Sequence, residues 1–292
     1  MIEWFKTLDL TIQVVIISSI TSIFVFIAGW LFKVLYERNS LKYKLKKEYE
    51  FEQKKKLKKE IAKNKIHLLN AVEELNHRLW NFSQHISTKK YSVSKSNWFA
   101  EEQYYLNSFI YRFLKVIYLT IKTENDTVSI DSTIADNNDI LFLKYIKTFK
   151  DIFTDKDLIK NLPTQNKTTH FYKNNLFGFA SYIRKEGNLL SFEEFEEVLR
   201  NNYIDLEKVI TYFTEIENNN NDCSINALKC FHLLAINFLN KYGHDYQVTQ
   251  DDKINIITAK YKNEIRITSE FKKFIIKSKL EKEMKTILKK IE

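Results

Sequence analysis

The sequence predicts an all-α protein with an N-terminal single-pass transmembrane helix, a long charged linker helix and a helical, bundle-like cytoplasmic domain. Three observations predict it. Residues 10–32 run without a charge. The chain holds four glycines and one proline in 292 residues, too few for the tight turns that sheets require. Apolar residues recur at spacings of three and four over most of what remains.

The apolar run, LTIQVVIISSITSIFVFIAGWLF, comes first. A helix of that length spans about 35 Å, enough for a hydrocarbon core of about 30 Å. A secretory signal would be shorter and end at small residues suited to cleavage; this run leads straight into Lys33 and Arg38. Trp4 and Phe5 precede it and Trp30 and Tyr36 lie at its far end, where amphipathic rings favour the headgroup level. Ser18 and Ser22 form a small-xxx-small pair that would let two such helices approach closely.

Basic residues set the orientation. Lys33, Arg38, Lys42, Lys44, Lys46 and Lys47 follow the run, while Lys6 alone precedes it. The positive-inside rule then leaves residues 1–9 outside the cell membrane and the body in the cytoplasm. The net charge of +9 is concentrated at two places. Residues 33–65 carry 13 Lys/Arg against 5 Glu, and residues 269–292 carry 8 Lys against 4 Glu. The body between them is close to neutral, so nucleic acid is not expected as a partner. The six juxtamembrane cations are expected to meet anionic headgroups of the lipid bilayer, at about 1 kcal/mol each.

Residues 33–65 contain no helix breaker and read as a linker helix with coiled-coil character. Leu41, Leu45, Leu57 and Ile61 draw a thin apolar stripe suited to a weak homodimer. Leu68, Val72, Leu75, Leu79, Phe82 and Ile86 then step by four and three, which begins the domain at 66–268. A helix over about 99–122 is apolar on most faces and is expected at the centre. Others are expected over about 139–154 and 169–185. Ser191 with Glu194 reads as a capping box, Asp205 as the cap of the next helix, and Gly243 as the C′ residue that ends 223–242. Residues 253–268 suit a helix better than a hairpin, and 269–292 reads as one basic amphipathic helix. Cys223 and Cys230, seven apart, fit reduced thiols rather than a disulfide framework.

Motifs exclude more than they suggest. No glycine spacing permits a Walker A loop or a dinucleotide fingerprint, no Cys/His spacing suits zinc, and no cofactor or metal is expected. Glu74 and His77 make a lone ExxH without the second copy that a di-iron bundle needs. Arg78 and His85 lie seven apart on one helix face. Their spacing resembles the R-x(4–6)-H pair of HEPN ribonucleases, which implies a helical, dimeric nuclease with Arg78 and His85 as catalytic residues. The resemblance covers two residues, and Leu79 stands where that family usually has a polar residue. The expectation is a non-enzymatic membrane protein whose body senses a signal or binds an unidentified protein partner, an accessory protein of the envelope-stress or phage-defence kind. The alternative is a membrane-tethered, HEPN-like ribonuclease.

Overall fold

The computed structural model describes Trp4 and residues 7–85, 103–128, 130, 134–162, 170–214, 216 and 221–292. These residues are helical apart from one two-stranded hairpin and their connections. The expected polar loop at 87–97, Ile86 and Pro163 lie outside them. The chain divides into two compact units, Met1–Lys55 and Lys56–Glu292.

In the first unit, helix α1 (Leu10–His85) starts at the apolar run and is the one described helix long and apolar enough to cross a membrane. None of the residues in its most apolar 18-residue window is buried. Phe24, Phe26 and Phe32 stand 71%, 75% and 74% exposed. Three hydroxyls turn back onto their own helix: Ser18 and Ser19 donate to the Val15 carbonyl at 3.0 and 2.8 Å, and Thr21 to that of Ile17 at 2.8 Å. That is how hydroxyls are satisfied where no other partner is present.

The second unit opens with the C-terminal part of α1. Leu57 is 1% exposed, Ile61 7%, and Leu68, Val72 and Leu75 are fully buried. The second compact unit begins at Lys56, and Leu57 and Ile61, two of the four stripe residues, are core. Leu68, Val72, Leu75, Leu79 and Phe82 of the heptad are likewise core. Only Leu41 and Leu45 of the stripe remain exposed, at 59% and 57%.

Local signals explain the helix boundaries that follow. Helix α2 (Tyr104–Val128) extends beyond the expected end at 122, its Thr120, Thr123 and Thr127 hydroxyls donating to carbonyls four residues back. Helix α3 (Asn137–Asp151) is capped by Asp136, whose carboxylate accepts from the Asn138 and Asp139 amides. The ammonium of Lys58 on α1 lies 2.9 Å from the same carboxylate and holds its pKa down, to about 2. The short α4 (Lys156–Ile159) is capped by Asp155, and α5 (Lys173–Ser181) is shorter than the helix expected over 169–185. The last residues of that stretch form strand β1 (Arg184–Lys185), which pairs with β2 (Asn188–Leu189) in a hairpin, Arg184 opposite Leu189. Glu186 and Gly187 make the turn, both at positive φ (52° and 87°), the backbone twist that suits a two-residue hairpin loop.

Helix α6 (Phe192–Asn201) carries the expected Ser191–Glu194 capping box. Helix α7 (Tyr203–Thr214) starts two residues before Asp205. Asp205 is thus a first-turn residue rather than a cap, and its carboxylate accepts a hydrogen bond from Tyr182 at 2.8 Å. Helix α8 (Cys223–Tyr242), capped by Asp222, is buried at every residue from Cys223 to Ile236. It, rather than the expected 99–122 helix, is the element covered all round, although α2 also buries a broad face. Gly243 ends α8 with φ −69°, so it is not the left-handed C′ glycine anticipated. A Cβ there would lie 2.5 Å from the Leu239 carbonyl oxygen, and glycine is required by close approach.

Helix α9 (Asp251–Glu264) bears out the helical reading of that stretch. The expected 269–292 helix is two: α10 (Thr268–Lys277) and α11 (Glu281–Ile291). The break is a C-terminal motif in which Lys279 N–H donates to Ile276 and Leu280 N–H to Ile275, at 2.9 and 3.1 Å. Lys279 takes φ 57°, the left-handed position usually held by glycine. Aromatic rings knit the core. Phe113 of α2 meets Phe153 edge-on with centroids 4.9 Å apart, and Phe149 of α3 meets Phe238 of α8 at 5.0 Å.

Candidate functional site

In the first unit the six cations that follow the apolar run are all exposed. Lys33 lies 3.9 Å from Glu37 and Lys47 3.0 Å from Glu50; both are exposed pairs of little energetic value. No ion pair among the described residues engages Arg38, Lys42, Lys44 or Lys46, so these keep their charge available to a neighbouring surface. Ser18 and Ser22 are exposed on the same helix.

In the second unit Arg78 is 8% exposed. Its Nη2 donates to Ser108 Oγ at 2.6 Å, and its guanidinium lies 4.1 Å from the Tyr105 ring centroid. Ser108 in turn donates to the Tyr105 carbonyl at 3.2 Å. A fixed charge held by a hydroxyl and a ring face is an arrangement for joining α1 to α2. His85 closes α1, and its side chain lies outside the described residues. Of the ExxH pair, Glu74 engages Lys115 at 3.0 Å, while His77 faces Glu73 at 3.7 Å. The described residues contain no group of three or more His, Cys, Asp or Glu arranged to hold a metal ion.

Sequence reasoning missed the charged residues inside the core. Lys150 is 1% exposed, pairs with Glu124 and lies 5.4 Å from the Phe177 ring centroid. Burial, with Lys173 nearby, lowers its pKa to about 8. Lys229 on α8 pairs with Glu264 on α9 at 2.8 Å; burial lowers its pKa and the Glu264 carboxylate opposes that. His232, one turn on, is fully buried with Nδ1 2.8 Å from the Tyr261 hydroxyl, and burial lowers its pKa to about 3. Lysines in apolar helices are ordinarily read as solvent-facing; the available signal was Lys229 and His232 standing three apart inside an otherwise apolar helix. Both thiols are free and buried, and burial pushes Cys223 up to about 11 and Cys230 higher still. Neither is placed to act as a nucleophile.

The fold and these groups define an all-α protein with a membrane-compatible N-terminal helix and a densely packed helical body. No protein-family model, no curated protein and no solved structure matches the chain.

Proposed function

We propose that the chain is a single-pass protein of the cell inner membrane, with a short N-terminus outside and its helical body in the cytoplasm. The body's role is to sense a signal or bind a protein partner. The observation that carries the membrane reading is the exposed apolar surface of residues 10–32. Burying one such large side chain contributes about 1.5–3 kcal/mol, and nothing among the described residues covers them: none of that window is buried. A core helix of similar composition would be covered. The six cations from Lys33 to Lys47 support the orientation and would meet anionic headgroups.

Self-association is a narrower proposal than the sequence suggested. With Leu57, Ile61 and the heptad in the core, a weak homodimer rests on the Ser18/Ser22 face and on Leu41 and Leu45.

Membrane fractionation tests the anchor: the chain is expected to stay in the pellet after an alkaline carbonate wash. A reporter fused after Glu292 is expected to work only on the cytoplasmic side. Release by carbonate, or a reporter active outside, would sink the reading. Incubation of the purified chain with RNA guards the alternative, since cleavage abolished by His85→Ala would replace it with a nuclease.

A further inference from the structure

Helices α3 and α10 line a half-open pocket of about 570 Å³ together with the α3–α4 turn. Five lysines line it: Lys144 and Lys147 from α3, Lys156 from α4, and Lys277 and Lys279 from the end of α10. Two acids share the lining, Asp151 and Asp155. Asp155 is engaged: one oxygen accepts from the Asp157 amide and the other from Lys277, each at 2.9 Å. Asp151 therefore faces four lysines that no ion pair among the described residues occupies, and the lining keeps an excess of three positive charges. The volume falls within the range of small-molecule sites. One phosphate cannot reach several ammonium groups spread around such a space, whereas a ligand carrying several can meet each as a point charge.

Lys279 adds an independent observation. It occupies a left-handed C′ position where glycine carries no steric penalty and a lysine does, and it lines the pocket. A charged residue stands there against local backbone preference.

We infer that this cavity binds a small ligand bearing clustered phosphates, from a soluble polyphosphorylated compound or a phosphoinositide headgroup. The inference gives the sensing reading its ligand class and rests on that reading only for its biological meaning. It does not depend on the anchor, so failure to bind and failure to fractionate with membranes are separate results.

The test uses the full chain in a non-ionic detergent, titrated with tripolyphosphate in one arm and with phosphoinositide bisphosphate in mixed micelles in the other. Sulfate at matched ionic strength is the control, and calorimetry and thermal melting are read together. Saturable binding is expected in at least one arm, and the tighter arm names the source. It should weaken about tenfold or more in Lys144→Glu/Lys147→Glu, since charge-assisted hydrogen bonds are lost, and stay unchanged in Lys282→Glu/Lys285→Glu outside the cavity. Lys279→Gly separates site from fold: it should raise the melting temperature while weakening polyphosphate binding several-fold. No saturable binding in either arm, or equal loss in both charge-reversed pairs, overturns the inference. So does Lys279→Gly that melts higher and binds as before.

Discussion

His232 Nδ1 lies 2.8 Å from the Tyr261 hydroxyl, and the opposite ring nitrogen, Nε2, is buried with no hydrogen-bond partner among the described residues. The pair joins α8 to α9 at a position with no room for solvation, so a proton on this ring would be a buried charge without a counter-ion. Burial lowers its folded pKa to about 3 from an ordinary value of 6.5. Below 6.5 the unfolded chain therefore binds a proton that the folded chain refuses. Stability is full above that value and is lost as pH falls towards 3, at up to about 1.4 kcal/mol per unit. Melts of the chain in detergent between pH 7 and about 5, where carboxylates stay ionised, should show this loss. His232→Gln should reduce it, leaving the contribution of His170, whose pKa burial also lowers; an unchanged slope would mean the His232 ring is already solvated.

Leu57 and Ile61 belong to the body, whereas Leu41 and Leu45 are exposed. Leu57→Ala is expected to destabilise the second unit by about 2–5 kcal/mol. Leu41→Ala and Leu45→Ala should change denaturation by less than about 0.5 kcal/mol. If all three behaved alike, the division at Lys56 would be wrong.

Arg78 joins α1 to α2 through Ser108 and Tyr105. Arg78→Ala should cost about 3 kcal/mol, since it removes a charged hydrogen bond and a ring contact and leaves the buried Ser108 oxygen without its donor. A double-mutant cycle with Ser108→Ala should return a coupling of about 1 kcal/mol. A loss of RNA cleavage without loss of stability would assign Arg78 to chemistry instead.

Gly243→Ala places a methyl against the Leu239 carbonyl oxygen at a backbone angle alanine tolerates. The penalty is steric alone, expected at about 2 kcal/mol, and a thermal melt reads it directly. Were left-handed geometry the reason for glycine, Asn would substitute well; here Gly243→Asn should be no better than alanine.

Features readable from the sequence were those decided within one turn of chain. Ser191 and Glu194 bond each other's backbone three residues apart. The spacing of Leu68, Val72, Leu75 and Leu79 likewise declares a buried helical face. What escaped depends on partners distant in sequence. Leu57 and Ile61 look like any thin stripe until the folded body covers them. Lys229 looks exposed until Glu264 arrives from α9. Residues 274–279 and 144–156 line one pocket only because α10 packs on α4, just after the end of α3, and nothing local marks Lys279 as the residue that breaks the C-terminal helix.

The burial of Met284, Ile287, Leu288 and Ile291 in α11 also has a consequence in time. Helix α8 cannot be covered until residue 291 has left the ribosome, because α11 packs on α8 and α9. The apolar segment at 10–32 emerges some 250 residues earlier. An anchor inserted as it is made would hold a growing chain whose most apolar body helix is still bare, and domains with late-closing cores are the ones that aggregate or need chaperones during synthesis. Stop codons within α11 should therefore lower the amount of protein recovered far more than their few lost residues suggest.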